Sequence, residues 1–231
     1  MRANWISTRF GFTAALGFVV GLPVLLVWLS GDWRWVRGWI CYSAWVALMV
    51  ISFLWMRLKD PALLAERARL PGRGGQSRSD LAILLGVKVV WVAWMVLPPL
   101  EMRFGSTPRL PLWCAMCGGV LVTVGGFLMF RSFTDNTYAS QVVRIQADRG
   151  HRVVDTGVYA MVRHPMYLGA SLLMIGGSLV LGSVAGLLTC MVMILLIVVR
   201  IFGEERTLVR GLEGYEAYRG KVRYRLVPRV W

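Results

Sequence analysis

Long apolar stretches separated by short polar segments make up most of the chain. Four of them are each close to the roughly 20 residues that a helix needs to cross a bilayer core: Phe10–Ser30, Gly38–Leu58, Leu81–Leu100 and Pro111–Phe130. A fifth, Met166–Phe202, is too long for one helix, and glycines near its middle favour a tight hairpin of two helices. The pattern predicts an all-α, polytopic membrane bundle of about six spans, or five if the last stretch is re-entrant.

Apolar and polar positions alternate with a roughly helical period after the last predicted span. The residues that would share one face of a helix, with Arg and Glu between them, are Leu208, Leu212, Tyr215 and Val222. The pattern predicts an amphipathic C-terminal helix that lies on the membrane surface. Because proline cannot continue a helix, this one should end at Pro228.

The composition agrees with a membrane protein, since 57% of the residues are hydrophobic and only 16% are charged. The net charge of +14 could indicate nucleic-acid binding, but 21 of the 26 Lys and Arg residues lie in the N-terminus, the second and fourth connections and the tail. With six spans these segments share one membrane face, which the positive-inside rule makes cytoplasmic, together with both termini. Topology and anionic headgroups account for the charge, so no nucleic-acid partner is predicted.

Lys88 lies near the middle of the third predicted span. Charges inside a membrane are costly and often functional. Snorkelling of the four-carbon stem, or pairing with a backbone carbonyl, explains the residue equally well. The sequence therefore assigns no role to Lys88.

Histidines and tyrosines concentrate in the polar segment His151–Gly169, which leads into the fifth predicted span. Pro165 disfavours helix at His164, so the backbone should be extended there, with its amides free for a ligand. Arg200 and Glu204 share a helical face at the end of the sixth span. They should meet the polar segment, because a hairpin returns both its ends to one membrane face. Together these groups suit a zwitterion that carries an aromatic ring, such as S-adenosylmethionine.

A metal site is the competing interpretation of the same side chains. Its ligands would be His151, His164, Glu204 and Glu205. No HExxH spacing is present and nothing in the pattern fixes a coordination geometry. The sequence therefore predicts no metal.

The polar segments give the chain a resemblance to the isoprenylcysteine carboxyl methyltransferases and to their relatives among the membrane phospholipid methyltransferases. The resemblance lies in HRVVDTGVY from His151, in RHPMYLG from Arg163, and in Arg200 with the pair Glu204-Glu205; it covers residues 135–228. It implies methyl transfer from S-adenosylmethionine to a hydrophobic or lipid-like acceptor, most simply a carboxylate, at the cytoplasmic membrane face. The chain looks like a compact, prokaryote-type member, which implies a bacterial or archaeal membrane and an acceptor other than a prenylated protein tail.

The resemblance also implies roles for individual residues. Glu204 would hold the ammonium group of the cofactor. Arg163 and Arg200 would orient the acceptor carboxylate or help to shape the site. The other cofactor-binding residues that the resemblance implies are Gln146, His151, Val153, Val154, Tyr159, His164, Pro165, Met166 and Tyr167. On this interpretation residues 1–130 form a four-span helical region and residues 131–231 form the catalytic region.

Two choices stay open at this point. A carboxylate is already a nucleophile at neutral pH, whereas an amine acceptor would have to lose a proton, for which Glu205 or His151 is a conceivable base. An NADPH-dependent membrane reductase of the sterol-reductase type carries a similar RHP-x-Y segment, but its cofactor needs further cations and the paired glutamates are less expected. A scaffold or transporter would need more polar residues within the spans than the chain has.

Overall fold

The computed structural model describes residue 17 and residues 19–69, 78–105 and 110–231. Throughout these ranges the regular structure is helical, which confirms the predicted all-α class. The α-helices are α1 (Val19–Ser30), α2 (Val36–Lys59), α3 (Pro61–Arg67), α4 (Arg78–Phe104), α5 (Leu112–Asp135), α6 (Pro165–Leu181), α7 (Val184–Gly211) and α8 (Tyr215–Lys221). Two 3₁₀ turns, Ala147–Arg149 and Gly157–Ala160, lie between α5 and α6.

Four of these helices are long and apolar enough to cross a membrane: α2, α4 from Ser79 onward, α5 and α7. Large apolar side chains such as Met116 and Leu195 are exposed on their outer faces, as surfaces that meet lipid should be. The predicted membrane bundle is therefore confirmed. The number of spans stays a prediction, because α1 and α6 are shorter and the predicted span Phe10–Ser30 begins outside the described residues.

Lys88 is exposed on the outer surface of α4, beside the exposed Val89. A lysine at such a place can extend its stem along the helix toward the membrane surface. The placement favours snorkelling over pairing inside the bundle.

The stretch Met166–Phe202 is divided between α6 and α7, as the sequence predicts. Gly182 ends α6 in the left-handed region, with φ of 70°. The Ser183 hydroxyl then caps α7 by accepting a hydrogen bond from the Gly186 amide at 2.8 Å. The Glu101 carboxylate of α4 accepts further hydrogen bonds from the Ser183 hydroxyl and from amides of the first turn of α7. These contacts fix the hairpin at one end of the bundle. The opposite end carries the segment between α5 and α6, residues 136–164, which we name the polar connection.

Glycines bring α5 and α6 into close contact over most of their length. A Cβ atom at Gly118 would lie 2.6 Å from the Gly176 carbonyl oxygen. One at Gly125 would lie 2.7 Å from the carbonyl oxygen of Gly169. Larger residues would therefore push the two helices apart. The contact holds the start of α6 beside the end of α5, where the polar connection begins.

The C-terminal segment differs from its prediction. The predicted helix end at Pro228 is wrong: α7 runs to Gly211, Gly214 breaks the path with φ of 80°, and α8 ends at Lys221. The predicted apolar face exists, but three of its members, Leu212, Tyr215 and Val222, are buried together with Tyr218 against Ile145 and Val153 of the polar connection, and the fourth, Leu208, packs on the same cluster. Helical periodicity identifies an apolar face without saying whether protein or lipid covers it.

Candidate active site

A cavity lies at the end of the bundle where α5 ends, α6 begins and α7 passes into α8. It contains about 780 Å³ of empty space, its open mouth included. Of the predicted site residues, only Gln146 and Arg200 do not line it. Those that do are His151, Val153, Val154, Tyr159, Arg163, His164, Pro165, Met166, Tyr167 and Glu204. His151 and Glu204, which are 53 positions apart in the sequence, therefore line the same cavity.

Glu204 and Arg200 are connected through Tyr167. The Tyr167 hydroxyl donates a hydrogen bond of 2.6 Å to Oε2 of Glu204, and Nε of Arg200 donates one of 2.9 Å to the same hydroxyl. The buried Arg200 guanidinium also donates to the carbonyl oxygen of Gln141. Arg200 is thus placed behind the cavity wall, where it holds Tyr167 and part of the polar connection, while Glu204 lines the cavity itself.

Glu205, the next residue, has an entirely different environment. Its carboxylate is buried and accepts hydrogen bonds from Nε of Arg163 at 2.7 Å and from Nε of Arg225 at 2.9 Å. Nε2 of His164 lies 3.3 Å from the same carboxylate. The Arg163 guanidinium also donates to the Val222 carbonyl oxygen at 2.9 Å. We name Arg163, His164, Glu205 and Arg225 the Glu205 cluster; it ties the start of α6 to α7 and to the tail.

His164 lies outside the helix and Pro165 occupies the first turn of α6, as predicted, but the backbone at His164 is not extended: its φ is −125° and its ψ is 61°. The prediction that the amides there are free for a ligand is wrong. The Arg163 amide donates to the carbonyl oxygen of Tyr224, and the His164 amide to that of Arg225, both at 2.9 Å. Backbone amides that are not paired within a helix find partners elsewhere in the protein, here in the returning tail.

An aromatic pair forms another part of the wall. The rings of Tyr138 and His151 lie 4.5 Å apart between centroids, and the Tyr138 hydroxyl donates to the Gly150 carbonyl oxygen at 3.0 Å. The backbone amide of Gln146 donates a hydrogen bond to Nδ1 of His151 at 3.3 Å. Burial, assisted by the charges of Arg149 and Arg144, lowers the pKa of His151. The imidazole is therefore neutral at neutral pH.

Gln146 supports this wall from behind. It is buried, its side-chain amide donates to the Tyr138 carbonyl oxygen at 2.9 Å, and its Oε1 accepts from Arg149. Gln146, which the sequence analysis predicted to bind the cofactor, therefore lies behind the ring pair and not on the cavity surface.

The sequence did not identify several residues of the cavity. Among those that line it are Asn136, Tyr138, Arg144, Leu208, Leu212, Tyr215 and Tyr218. Leu208, Leu212 and Tyr215 belong to the apolar face that the sequence assigned to the membrane surface. Their spacing was the available signal, but it carried no information on the partner of that face.

The sequence analysis also missed α3, which follows α2 and contacts the residues around the cavity through Glu66. Glu66 is buried, and Nε and Nη2 of Arg144 bind its two carboxylate oxygens at 2.7 Å each. Arg69 adds a third contact at 2.8 Å. The hydrogen bond from Arg144 lowers the pKa of Glu66 despite an opposing effect of burial. Because Arg144 lines the cavity, Glu66 fixes the polar connection from outside the C-terminal region.

Within the ranges that the structure describes, no group of three or more His, Cys, Asp or Glu side chains is arranged to hold a metal ion. The fold and site thus define a polytopic helical membrane protein with a polar cavity at one end of its bundle. The cavity wall combines a carboxylate, a neutral imidazole, tyrosine rings and apolar side chains.

Comparison with known proteins shows a similarity over the part of the chain that forms the cavity. Residues 113–213 match the model of the phospholipid methyltransferase family, a region from α5 through α7 that includes most of the cavity wall. Protein-S-isoprenylcysteine O-methyltransferase of Schizosaccharomyces pombe is 38% identical over 85 residues, which is 36% of this chain and 36% of that protein. The aligned part thus spans about a third of that relative. The predicted resemblance to the isoprenylcysteine carboxyl methyltransferases and their phospholipid-methylating relatives is confirmed over this region of the chain.

Proposed function

We propose that the protein transfers a methyl group from S-adenosylmethionine to a hydrophobic or lipid-like acceptor, most simply a carboxylate, at the cytoplasmic face of a bacterial or archaeal membrane. The observation that carries the proposal is the cavity, which brings Glu204, Tyr167 and the ring pair of Tyr138 and His151 into one wall of the matched region. Glu204 offers the negative charge, and the ring pair the stacking surface, that the ammonium and adenine ends of such a donor require.

The described residues fit this donor chemically. Glu204 supplies a negative charge on the cavity wall, and the Tyr167 hydroxyl orients its carboxylate. The ring pair and the apolar side chains of Leu212 and Tyr215 give a stacking surface for a nucleoside base. When bound, S-adenosylmethionine would supply an electrophilic methyl group on a sulfonium. The protein residues then have to hold, align and keep water from the reactants.

The same geometry favours a carboxylate acceptor over an amine. A carboxylate needs no base, whereas an amine must lose a proton before it can attack. Glu205 is bound by two arginines, so its negative charge is already used inside the protein. The neutral His151 accepts a hydrogen bond from the backbone amide of Gln146 through its ring nitrogen Nδ1. Neither group is placed as an obvious base, which supports a reaction without proton transfer.

We further propose that residues 131–231 act as the catalytic region and residues 1–130 as its membrane support. Support comes from the cavity wall, whose residues all lie between Asn136 and Tyr218. Arg200 would orient the acceptor side through Tyr167, and Arg163 would shape the site through the Glu205 cluster. The excess of Lys and Arg in the segments near the cavity supports a cytoplasmic orientation.

The test is calorimetric binding of S-adenosylhomocysteine to the detergent-purified protein, with NADPH titrated in parallel. Saturable binding of S-adenosylhomocysteine alone is the expected result. Binding of NADPH alone would replace the proposal with the reductase alternative, for which the described residues offer no observation. Binding of neither compound would overturn both.

A further inference from the structure

The outer face of α7 carries a continuous stripe of exposed side chains. Its apolar members, spaced three or four positions apart, are Leu188, Val192, Leu195, Val199 and Phe202. That spacing places them on one helix face, which we expect to meet lipid in the membrane-spanning part of α7. The exposed Arg206 follows Phe202 on the same face, about 6 Å further along the helix axis. The stripe thus changes from apolar to basic at the end of the bundle where the cavity lies.

Residues 222–231, which we name the tail segment, pack on this part of α7. The rings of Trp231 and Phe202 lie 5.7 Å apart between centroids, and the Arg225 guanidinium lies 5.3 Å from the centre of each ring. The Val227 amide donates to the Trp231 carbonyl oxygen and the Trp231 amide donates back to that of Val227, both at 3.1 Å. The tail segment is therefore a compact turn held beside the place where the lipid-facing stripe ends.

This turn exposes apolar and basic side chains together. Val227 and Val230 are exposed, the latter to 78%. Arg229 lies between them and Arg223 precedes the turn, and both arginines are exposed. The tail segment contains three arginines and no acidic residue. Among the described residues no ion pair includes Arg206, Arg223 or Arg229, so these charges are available to a partner.

A surface of this kind fits the anionic headgroups of a lipid leaflet. Apolar side chains at the headgroup level bury part of their surface among the lipid chains. Neighbouring arginines are attracted by the negative surface potential, which contributes roughly fivefold in affinity for each arginine. An acidic soluble protein would match the charges, but it would not account for a surface that continues the lipid-facing stripe of α7. The position of the surface therefore favours lipid.

The tail segment is also connected to the cavity. The Arg163 amide donates to the Tyr224 carbonyl oxygen at 2.9 Å. The His164 amide donates to the Arg225 carbonyl oxygen at 2.9 Å, and the Arg225 side chain bonds to Glu205 at the same distance. Arg163 and His164 both line the cavity. A contact that holds the tail segment in place therefore also holds part of the cavity wall.

We propose that the tail segment and the end of α7 dock on anionic phospholipid headgroups of the leaflet at the cavity end, and that this contact stabilises the ligand-binding form of the cavity. Arg206, Arg223 and Arg229 contact the phosphate groups, and the exposed valines of the turn lie at the level of the upper acyl chains. The cavity then binds its ligand more tightly in a membrane that contains anionic lipid. The effect on the ligand rests on the proposed function, whereas the docking itself does not.

The test places the full-length protein in nanodiscs of phosphatidylcholine alone and in nanodiscs that also contain phosphatidylglycerol. Hydrogen–deuterium exchange of the tail segment measures docking, and calorimetric titration of S-adenosylhomocysteine measures the state of the cavity. The test variant is Arg223→Gln/Arg229→Gln. The matched control, Arg57→Gln/Lys59→Gln, removes two exposed charges from the end of α2, which packs beside the polar connection but lies outside the proposed surface.

In the wild-type protein, phosphatidylglycerol should slow exchange of the tail amides by about 5- to 25-fold, because each of the two substituted arginines contributes roughly fivefold. It should also raise the affinity for S-adenosylhomocysteine by at least about fivefold, the lower end of ordinary coupling between two sites. Both effects should be largely lost in Arg223→Gln/Arg229→Gln and should persist in the control.

Equal exchange of the tail segment in the two kinds of nanodisc would overturn the docking. An effect of phosphatidylglycerol that is lost to the same extent in the control would show that the general charge of this membrane face is responsible, and the assigned surface would be wrong. Slower exchange without any change in the affinity for S-adenosylhomocysteine would reject the connection to the cavity. If the wild-type protein binds no S-adenosylhomocysteine in either membrane, the proposed function fails, while the exchange measurement still decides the docking.

Discussion

Two adjacent carboxylates of α7 occupy opposite environments. Glu205 is buried in the Glu205 cluster, where two arginines and a histidine surround it. Glu204 is half-buried on the cavity wall, and its carboxylate accepts a hydrogen bond from the neutral hydroxyl of Tyr167. A fully paired charge stabilises the fold but has little left to offer a ligand. A charge that faces a cavity beside a neutral partner can still bind a cation, so the two residues should differ sharply on the same substitution.

The largest effect is expected for Glu205→Gln. The change leaves Arg163 and Arg225 buried or half-buried without their negative partner. Breaking a buried ion pair in this way costs about 3–5 kcal/mol. For a chain of this size the midpoint of thermal unfolding in detergent should fall by on the order of 10 °C. A midpoint equal to that of the wild-type protein would remove the structural role of the Glu205 cluster.

The neighbouring change, Glu204→Gln, should leave the unfolding midpoint almost unchanged and act on the ligand. The loss of a charged hydrogen bond to the cofactor ammonium should weaken S-adenosylhomocysteine by roughly 10- to 100-fold in calorimetry. Glu213→Gln is the matched control, since Glu213 is exposed just beyond α7. If Glu204→Gln and Glu213→Gln bind the cofactor product equally well, the ammonium contact is wrong.

The contrast between the two glutamates could be predicted only in part. Hydropathy is a local property, so the apolar stretches predicted α2, α4, α5 and the hairpin from their own residues. The proline in the RHPMY segment likewise predicted that His164 lies outside the helix and that α6 starts after it. The paired arginines could not be found in this way. Arg225 lies 20 positions from Glu205, and Arg144 lies 78 positions from Glu66. No periodicity links such positions, because tertiary packing brings them together.

Arg200→Ala tests how the cavity side of this contrast is held in place. The change removes the hydrogen bond to Tyr167 and the contact with the Gln141 carbonyl oxygen. We expect the turnover number to fall by about 100-fold or less through misalignment of the reactants, while the affinity for S-adenosylhomocysteine falls by only about threefold. Two quantities are measured: the rate of methyl transfer to a hydrophobic carboxylic acid, and the affinity for S-adenosylhomocysteine by calorimetry. Equal losses in both quantities would make Arg200 a purely structural residue.

Glu66→Gln asks whether a paired carboxylate outside the matched region behaves like Glu205. Arg144 would keep one hydrogen bond to the amide oxygen and its exposed pair with Asp148, but it would lose its buried ionic partner. Because Arg144 lines the cavity, the polar connection should loosen, and S-adenosylhomocysteine should weaken by about three- to tenfold. Glu216→Gln, which breaks an exposed pair with Arg219, is the control and should have no measurable effect. Equal affinities for the two variants would remove the coupling between α3 and the cavity.

The smallest effect is the pH dependence of the Glu66 contact. The pKa of Glu66 is lowered in the folded protein by the hydrogen bond from Arg144. Its contribution to stability is therefore fully present above the unfolded pKa of about 4.3 and is lost as the pH falls through the lower, folded value. The difference in unfolding midpoint between the wild-type protein and Glu66→Gln should be constant from about pH 8 to about pH 5.5 and should shrink only in more acidic buffer. A difference that already shrinks near neutral pH would show that another group, such as His151, carries the titration, and that Glu66 does not hold the connection through its charge.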